Sequence, residues 1–346
     1  MICRLANALS DYGMGVQMFS LDDPDAKSFY PLGKSVTWLR LGRETGLGGK
    51  VRRVLRMCEA MRENRSCALI GFVMAGDKTV YAAAKLAGVK LIAAERNAPD
   101  MYKLRYGLFT RWLSFSLLRL TDAIVVQFPN YIQGYPKALH ARAVSIGNPV
   151  EPAAMRAKPN TPDNQGRFSL LAVGRLDGVQ KRMDVLVKAF AMVAGKHPHW
   201  DLRIIGDGPQ KDDILNHLRL NGLERRCVIE DAHLNIFEAY ANAHLFVMPS
   251  LWEGFPNALA EAMAHGLPAV GFADAPGVRH LIRDCGGWLA SGVDDPVALA
   301  RVLDIAMSDG GERERRSQLA EDGMRAYAPD TQLGHWCDLI ERICVR

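Results

Sequence analysis

No apolar run in this chain approaches the roughly 20 residues that a helix needs to cross a bilayer. The longest, Ala68–Ala75, reads as a strand with its flanks. The opening Met1-Ile2-Cys3-Arg4-Leu5 lacks the layout of a secretory signal. Cysteine is sparse: the seven (Cys3, Cys58, Cys67, Cys227, Cys285, Cys337, Cys344) are scattered and never form a C-x-x-C pair. That argues against a disulfide framework and fits a reduced, cytoplasmic compartment. The nine histidines show no metal-ligand spacing, and His197 and His199 flank a proline, so no zinc centre is expected. Short repeats and low-complexity tracts are also missing.

What is present is the composition of a soluble globular protein, 49% hydrophobic and 23% charged over 346 residues. That length favours two domains. The net charge of +5 is uneven: residues 1–150 carry 21 Lys/Arg against 11 Asp/Glu, whereas the remainder carries 22 against 27. A basic half joined to a mildly acidic one suggests that only the first meets an anionic surface.

Strand-like runs alternate with helix-length segments from end to end, the pattern of parallel sheets with crossover helices. In the first half the strands read Val16–Ser20, Val36–Leu39, Ala68–Phe72, Lys90–Ala94, Ala123–Val126 and Val144–Ile146. In the second they read Leu170–Val173, Leu202–Ile205, Cys227–Ile229, Leu245–Met248, Ala269–Phe272 and Gly287–Leu289. Gly147–Pro152 and the polar Lys158–Arg167 stretch read as hinge and linker. The expected fold class is α/β: two doubly wound domains facing a cleft, at 1–150 and 151–328, with a C-terminal helix at 329–346 that packs back toward the first. The chain opens with a helix, Ile2–Tyr12, where such a domain needs a central strand and glycine-rich loop. Met1 is therefore expected to be internal to a longer protein whose first strand, roughly 20–30 residues with its loop, is missing here.

The most informative stretch is Pro249-Ser250-Leu251-Trp252-Glu253-Gly254-Phe255-Pro256-Asn257-Ala258-Leu259-Ala260-Glu261. It sets two carboxylates eight residues apart across a strand-to-helix turn. Glu253 falls on the loop at the carboxyl end of Leu245–Met248, where open α/β sheets bind ligands. Glu261 falls about one turn into the helix Asn257–His265, which Gly266 stops. Two acceptors flanking helix N-terminal N–H groups suit the hydroxyls and phosphates of a sugar nucleotide. The plainer reading is a solvated Glu and an ordinary helix Glu.

Two further loops fit the same ligand. Gly174-Arg175-Leu176 follows Leu170–Val173, and Lys181 comes six residues after Arg175. Glycine lets the backbone approach, Arg offers a bidentate fork and Lys a point charge, which together suit a pyrophosphate; a solvated loop is the alternative. Arg182 ranks below Lys181. Gly206-Asp207-Gly208-Pro209 is a tight turn opening a helix, suited to an anion or ribose or else purely structural. It is not a dinucleotide fingerprint, because the third glycine of G-x-G-x-x-G is absent.

With these motifs in order, the run from Leu170 to Leu289 resembles the donor-binding domain of family 4 retaining glycosyltransferases, which have the two-Rossmann GT-B fold. The resemblance implies that Arg175 and Lys181 bind and neutralise the donor diphosphate, that Glu261 holds the ribose, and that Glu253 lies beside the donor sugar and its developing oxocarbenium. It assigns donor contacts to Gly174, Gly206, Gly208, Gly254, Phe255, Pro256 and Asn257. It also implies retention of configuration, a UDP- or GDP-linked donor, and no cofactor or metal. Glu95-Arg96-Asn97-Ala98-Pro99 looks like a segment of members that build bacterial surface polysaccharides, and would line the acceptor side. A charged structural loop is the plainer alternative there. Where many relatives have Glu, this chain has His280.

Met101–Leu120 mixes Lys103, Arg105, Arg111 and Arg119 with aromatic and aliphatic residues, and reads as one basic helix able to lie in a lipid headgroup layer. The alternative is that its apolar residues pack on the sheet while the charges snorkel. The expected partners are a nucleotide-sugar, a glycan or polyprenyl-diphosphate-linked acceptor, and an anionic membrane at its cytoplasmic face, but no nucleic acid. The expected function is transfer of a sugar in polysaccharide biosynthesis. The alternatives are a sugar-nucleotide epimerase of the same fold and a nucleotide-sugar-binding fragment that does not turn over.

Overall fold

Uninterrupted apolar runs become strands covered on both faces. Every residue of Ala123–Val126, Leu245–Met248 and Ala269–Phe272 is buried, as parallel strands flanked by helices require. The computed structural model describes residues 1–346 apart from 29, 44–45, 73, 75, 232–234 and 346, and the side chain of residue 284. Residues 73 and 75 of the apolar run at 68–75 thus lie outside the described residues. The chain divides into two units, Met1–Asn148 with Asp330–Arg346, and Pro149–Pro329.

The first unit begins with helix α1 (Ile2–Asp11), strands β1 (Gln17–Ser20) and β2 (Thr37–Arg40) and helix α2 (Gly46–Glu63). It continues through β3 (Ala68–Gly71), α3 (Thr79–Ala87), β4 (Lys90–Ala94), α4 (Met101–Arg105), α5 (Leu108–Leu118), β5 (Ala123–Val126) and β6 (Ala143–Ser145). Among the described residues all its ladders are parallel, but they form two sheets: β1 pairs with β2, and β3–β4–β5–β6 make a four-stranded sheet. The single helix expected over Met101–Leu120 is two. Tyr106 (φ −124°, ψ 137°) and Gly107 (φ −64°, ψ 164°) are extended between them. Glycine gives little support to a helix interior and serves at the N-cap, so α5 starts afresh after Gly107.

The second unit runs β7 (Phe168–Val173), α6 (Met183–Val193), β8 (Trp200–Ile205), α7 (Lys211–Leu220), β9 (Cys227–Glu230), α8 (Ile236–Ala241), β10 (Leu245–Met248), α9 (Asn257–Ala264), β11 (Ala269–Phe272), α10 (Pro276–Asp284), β12 (Trp288–Ala290), α11 (Pro296–Ser308) and α12 (Gly310–Met324). Among the described residues its six strands form one parallel sheet in the order β12–β11–β10–β7–β8–β9. No helix among the described residues is long and apolar enough to cross a membrane.

The chain then returns to the first unit as the C-terminal helix Pro329–Cys344. Its Trp336, Cys337, Leu339 and Ile340 share a core with Leu5 and Leu9 of α1, with Ile92, Ala94, Ala123 and Val125 of the sheet, and with Ile146 just past β6. Trp336 is only 1% exposed and is among the largest fully buried side chains. Just past β4, Glu95 also points inward instead of lining an open surface. Its carboxylate accepts from the Tyr102 hydroxyl at 2.7 Å and the Tyr135 hydroxyl at 3.1 Å. Burial pushes its pKa above the usual carboxylate range, and the two tyrosine bonds only partly offset this.

Two outcomes are expected. Trp336→Ala removes the largest side chain binding the C-terminal helix to the sheet, and should cost about 3–5 kcal/mol in urea unfolding. A loss under 1 kcal/mol would mean that the helix is not part of this core. Glu95 binds more protons folded than unfolded, so its contribution to stability is full below the unfolded pKa of about 4.3 and is lost as pH rises through the folded value. Between pH 4 and 8 the wild type should lose stability relative to Glu95→Gln, which keeps an acceptor for both tyrosines. A difference that does not change with pH contradicts the raised pKa.

Candidate functional site

The strand order of the second unit sets the place where chemistry can gather. From β7 the chain builds outward to β8 and β9, then crosses back to lay β10 on the other side of β7. At such a reversal the loops leaving two neighbouring strands diverge, and a crevice opens at their carboxyl ends. The motif loops leave from there: residues 174–182 follow β7, 206–210 follow β8 and 249–256 follow β10.

Steric demands explain two of the glycines. A Cβ on Gly206 would lie 1.9 Å from the Gly174 carbonyl oxygen. One on Gly208 would lie 2.5 Å from that of Leu176, and the Gly208 φ of 153° is one that L side chains rarely adopt. The two loops cross this closely because they are hydrogen-bonded together: Gly174 N donates to Ile205 O at 3.0 Å, Leu176 N to Asp207 O at 2.9 Å and Gln210 N to Leu176 O at 3.0 Å. Packing alone thus requires Gly206 and Gly208. A Cβ on Gly174 would press on the aliphatic stem of Lys181 at 3.3 Å, so that glycine leaves room for the lysine.

Lys181 reaches from the β7 loop to the β10 loop. Its Nζ donates to Glu253 Oε1 at 2.6 Å, and the two side chains are only 16% and 8% exposed. Backbone bonds hold the loops at this spacing: Leu251 N donates to Gln180 O at 2.9 Å, and Gln180 Nε2 to Trp252 O at 2.8 Å. Asp177 shapes the approach by accepting from the backbone N–H groups of Val179, Gln180 and Lys181. Those backbone bonds, with Arg175 beside it, hold the Asp177 pKa below the usual range despite the opposing effect of burial. Arg182 is turned away, pairing with Asp184 at 3.0 Å and with Asp294.

The remaining sequence-derived residues divide. Arg175 is exposed, with its guanidinium 3.1 Å from Asp177. Glu261 lies one turn into α9 and accepts from the Tyr240 hydroxyl at 3.2 Å. Gly254, Phe255 and Pro256 are buried, and the Phe255 ring packs edge-on against Tyr327 with centroids 5.1 Å apart. Asn257 is exposed at the start of α9. Glu95, Arg96 and Asn97 belong to the first unit. There Arg96 donates to Asn148, and burial lowers its pKa to about 10, which leaves it a cation. Asn97 is exposed. Sequence reasoning missed Asp177, Gln180 and Tyr240. An Asp two to four residues before the N–H groups it caps is a readable turn signal, whereas nothing in α8 points to a partnership between Tyr240 and Glu261.

Chemically, this edge of the sheet offers one lysine with two further N–H donors beyond its Glu253 bond, an exposed guanidinium one loop residue from the sheet, and a helix opening at Asn257. That set suits a phosphate-bearing ligand with hydroxyls.

Residues 167–309 match the family described as Glycosyl transferases group 1. The chain is 31% identical over 167 residues to an exopolysaccharide phosphotransferase of Streptomyces coelicolor, covering 48% of this chain and 18% of that protein. It is 29% identical over 171 residues to the amylovoran biosynthesis glycosyltransferase AmsD of Erwinia amylovora, covering 49% and 47%. The match thus spans less than half the length of either curated relative. Among solved structures, Anabaena HepE in complex with UDP and glucose superposes with a TM-score of 0.80 at 15% identity, covering 98% of this chain and 95% of that one. A likeness at that identity speaks for the fold, which is GT-B. The matched segment, residues 167–309, with the ordered loops that build its sheet edge, is thus similar to the group 1 glycosyltransferases of the family 4 type.

Proposed function

We propose that the chain transfers a sugar from a nucleoside-diphosphate donor to a glycan acceptor in polysaccharide biosynthesis, with retention of configuration. The observation that carries this reading is the Lys181–Glu253 pair at the strand-order reversal, 2.6 Å apart and shielded from water. Breaking the bond between an anomeric carbon and a diphosphate leaves negative charge on the phosphate oxygens and positive charge on the sugar. Lys181 and Arg175 meet the first need. At its shielded position the Lys181 charge acts without reorganising, and with the exposed Arg175 it does the work that a divalent cation does elsewhere. Glu253, held on the same loop edge, faces the second need. In this reading Glu261, steadied by Tyr240, accepts from ribose hydroxyls.

The names of the relatives support the same reading. AmsD is named for amylovoran biosynthesis, and HepE was solved with UDP and glucose. The acceptor we infer is a glycan carried on a polyprenyl diphosphate, which places the protein at the cytoplasmic face of a membrane.

Nucleotide binding tests the reading directly. One of UDP, GDP or ADP at about 100 times its Kd should stabilise the protein by about 2.7 kcal/mol, which in a thermal shift is a rise of several degrees. Arg175→Ala, at an exposed position, should weaken that nucleotide about 10-fold, and Glu261→Ala about 10- to 100-fold. If no nucleoside diphosphate stabilises the protein, or Glu261→Ala binds as tightly as wild type, the donor site lies elsewhere. Given a donor, NMR of the product should show the donor's anomeric configuration, and an inverted linkage would refute the retaining mechanism.

A further inference from the structure

Surface helices normally turn their large apolar side chains inward. On α4 and α5 several face out: Leu104 is 64% exposed, Leu108 76%, Phe109 72% and Trp112 63%. Leu108 and Trp112 are one turn apart, and the Phe109 and Trp112 rings stack with centroids 6.1 Å apart, so these residues form one ridge. The packing alternative is thereby closed for them. Around the ridge stand Lys103, Arg105 and Arg111, and no Asp or Glu lies between residues 101 and 120. The nearest acid in sequence, Asp100, meets Lys103 only at 3.9 Å with both side chains exposed, a contact too weak to neutralise it.

Beside the ridge is a cavity of about 550 Å³ walled by Leu108, Trp112, Phe115, Tyr102 and Tyr135, with Lys103 and Arg111 among its lining. The tyrosines give this cavity rings and no donors, because both hydroxyls are engaged by the buried Glu95. An apolar hollow with two cations at it complements an amphipathic anion.

We propose that the α4–α5 face docks onto an anionic lipid bilayer and that the cavity lodges one anionic lipid of that bilayer. The lipid phosphate meets Lys103 and Arg111 while the start of its chain lies against the rings. Leu108, Phe109 and Trp112 enter the boundary between headgroups and acyl chains, as interfacial helices do. The proposal deepens the lipid-linked acceptor reading and rests on it for its purpose, but the binding itself is measured separately from sugar transfer.

The full chain should float with vesicles of phosphatidylglycerol and phosphatidylcholine at low salt, and not with phosphatidylcholine alone. Trp112→Glu should lower the floated fraction at least about 10-fold. Arg111→Glu, which reverses one charge, should lower it at least about 5-fold. All of these positions are remote from the donor loops in sequence, so nucleoside-diphosphate stabilisation should be unchanged in each variant. That result separates a failure here from a failure of the donor site. Brominated acyl chains should quench tryptophan emission in wild type and not in Trp112→Phe. Short-chain phosphatidylglycerol below its micelle concentration should saturate at one per chain, resist competition by inorganic phosphate, and lose binding in Arg111→Glu. The proposal is overturned if wild type stays unbound on anionic vesicles, if Trp112→Glu floats as wild type does, or if loss of flotation accompanies self-association, which would give the ridge to a second copy. Absence of the saturable short-chain binding overturns the cavity's assignment.

Discussion

The second unit is organised around one contact, the salt bridge between Lys181 and Glu253. Taking an ammonium and a carboxylate out of water costs several kcal/mol each, and their attraction offsets this only when the geometry is good. Good geometry here needs two loops from strands that are neighbours in space and far apart in sequence to be held at a fixed spacing. The Gln180–Trp252 and Leu251–Gln180 bonds fix one side of that spacing. The crossing of the 174–176 and 206–208 backbones fixes the other, and it tolerates no side chain on Gly206 or Gly208. The same features that permit the ion pair therefore dictate the glycines and the strand order around it.

The glycines also show how a sequence motif can carry two meanings. Gly-Asp-Gly after a strand reads equally well as an anion-binding turn or as a structural one. Steric contacts favour the structural explanation for the glycines themselves. Yet the close crossing they allow places the 174–182 loop where Lys181 can reach Glu253, so the structural role supports the chemical one.

Much of the fold was legible because parallel strands buried on both faces must be continuous apolar runs, and Lys90–Ala94, Ala123–Val126, Leu245–Met248 and Ala269–Phe272 have the limits the sequence suggests. The errors are local and have physical causes. Strands β7 and β8 begin two residues early, at Phe168 and Trp200, whose rings stack across the ladder with centroids 5.1 Å apart. That is a cross-strand pairing no single run reveals. Gly107 splits a helix that composition alone would continue. Residue types at the site were readable from motif order, but their partners were not. Lys181 and Glu253 are 72 positions apart, and only the sheet order brings them together.

Two glutamates in this chain show how surroundings, not residue type, assign a role. Glu253 meets the Lys181 cation on a loop at the carboxyl edge of the sheet. Glu95 accepts from two hydroxyls in a buried setting, and burial holds its pKa high. A carboxylate so placed is poorly suited to receive a substrate proton from outside, but well suited to orient what binds it. By engaging the hydroxyls of Tyr102 and Tyr135, it fixes which parts of those side chains the neighbouring cavity presents. Replacing Glu95 by an apolar residue would leave both hydroxyls to find other partners, and the cavity wall would lose its apolar character. The first residue of the Glu-Arg-Asn segment therefore sets the wall of a surface cavity from beneath.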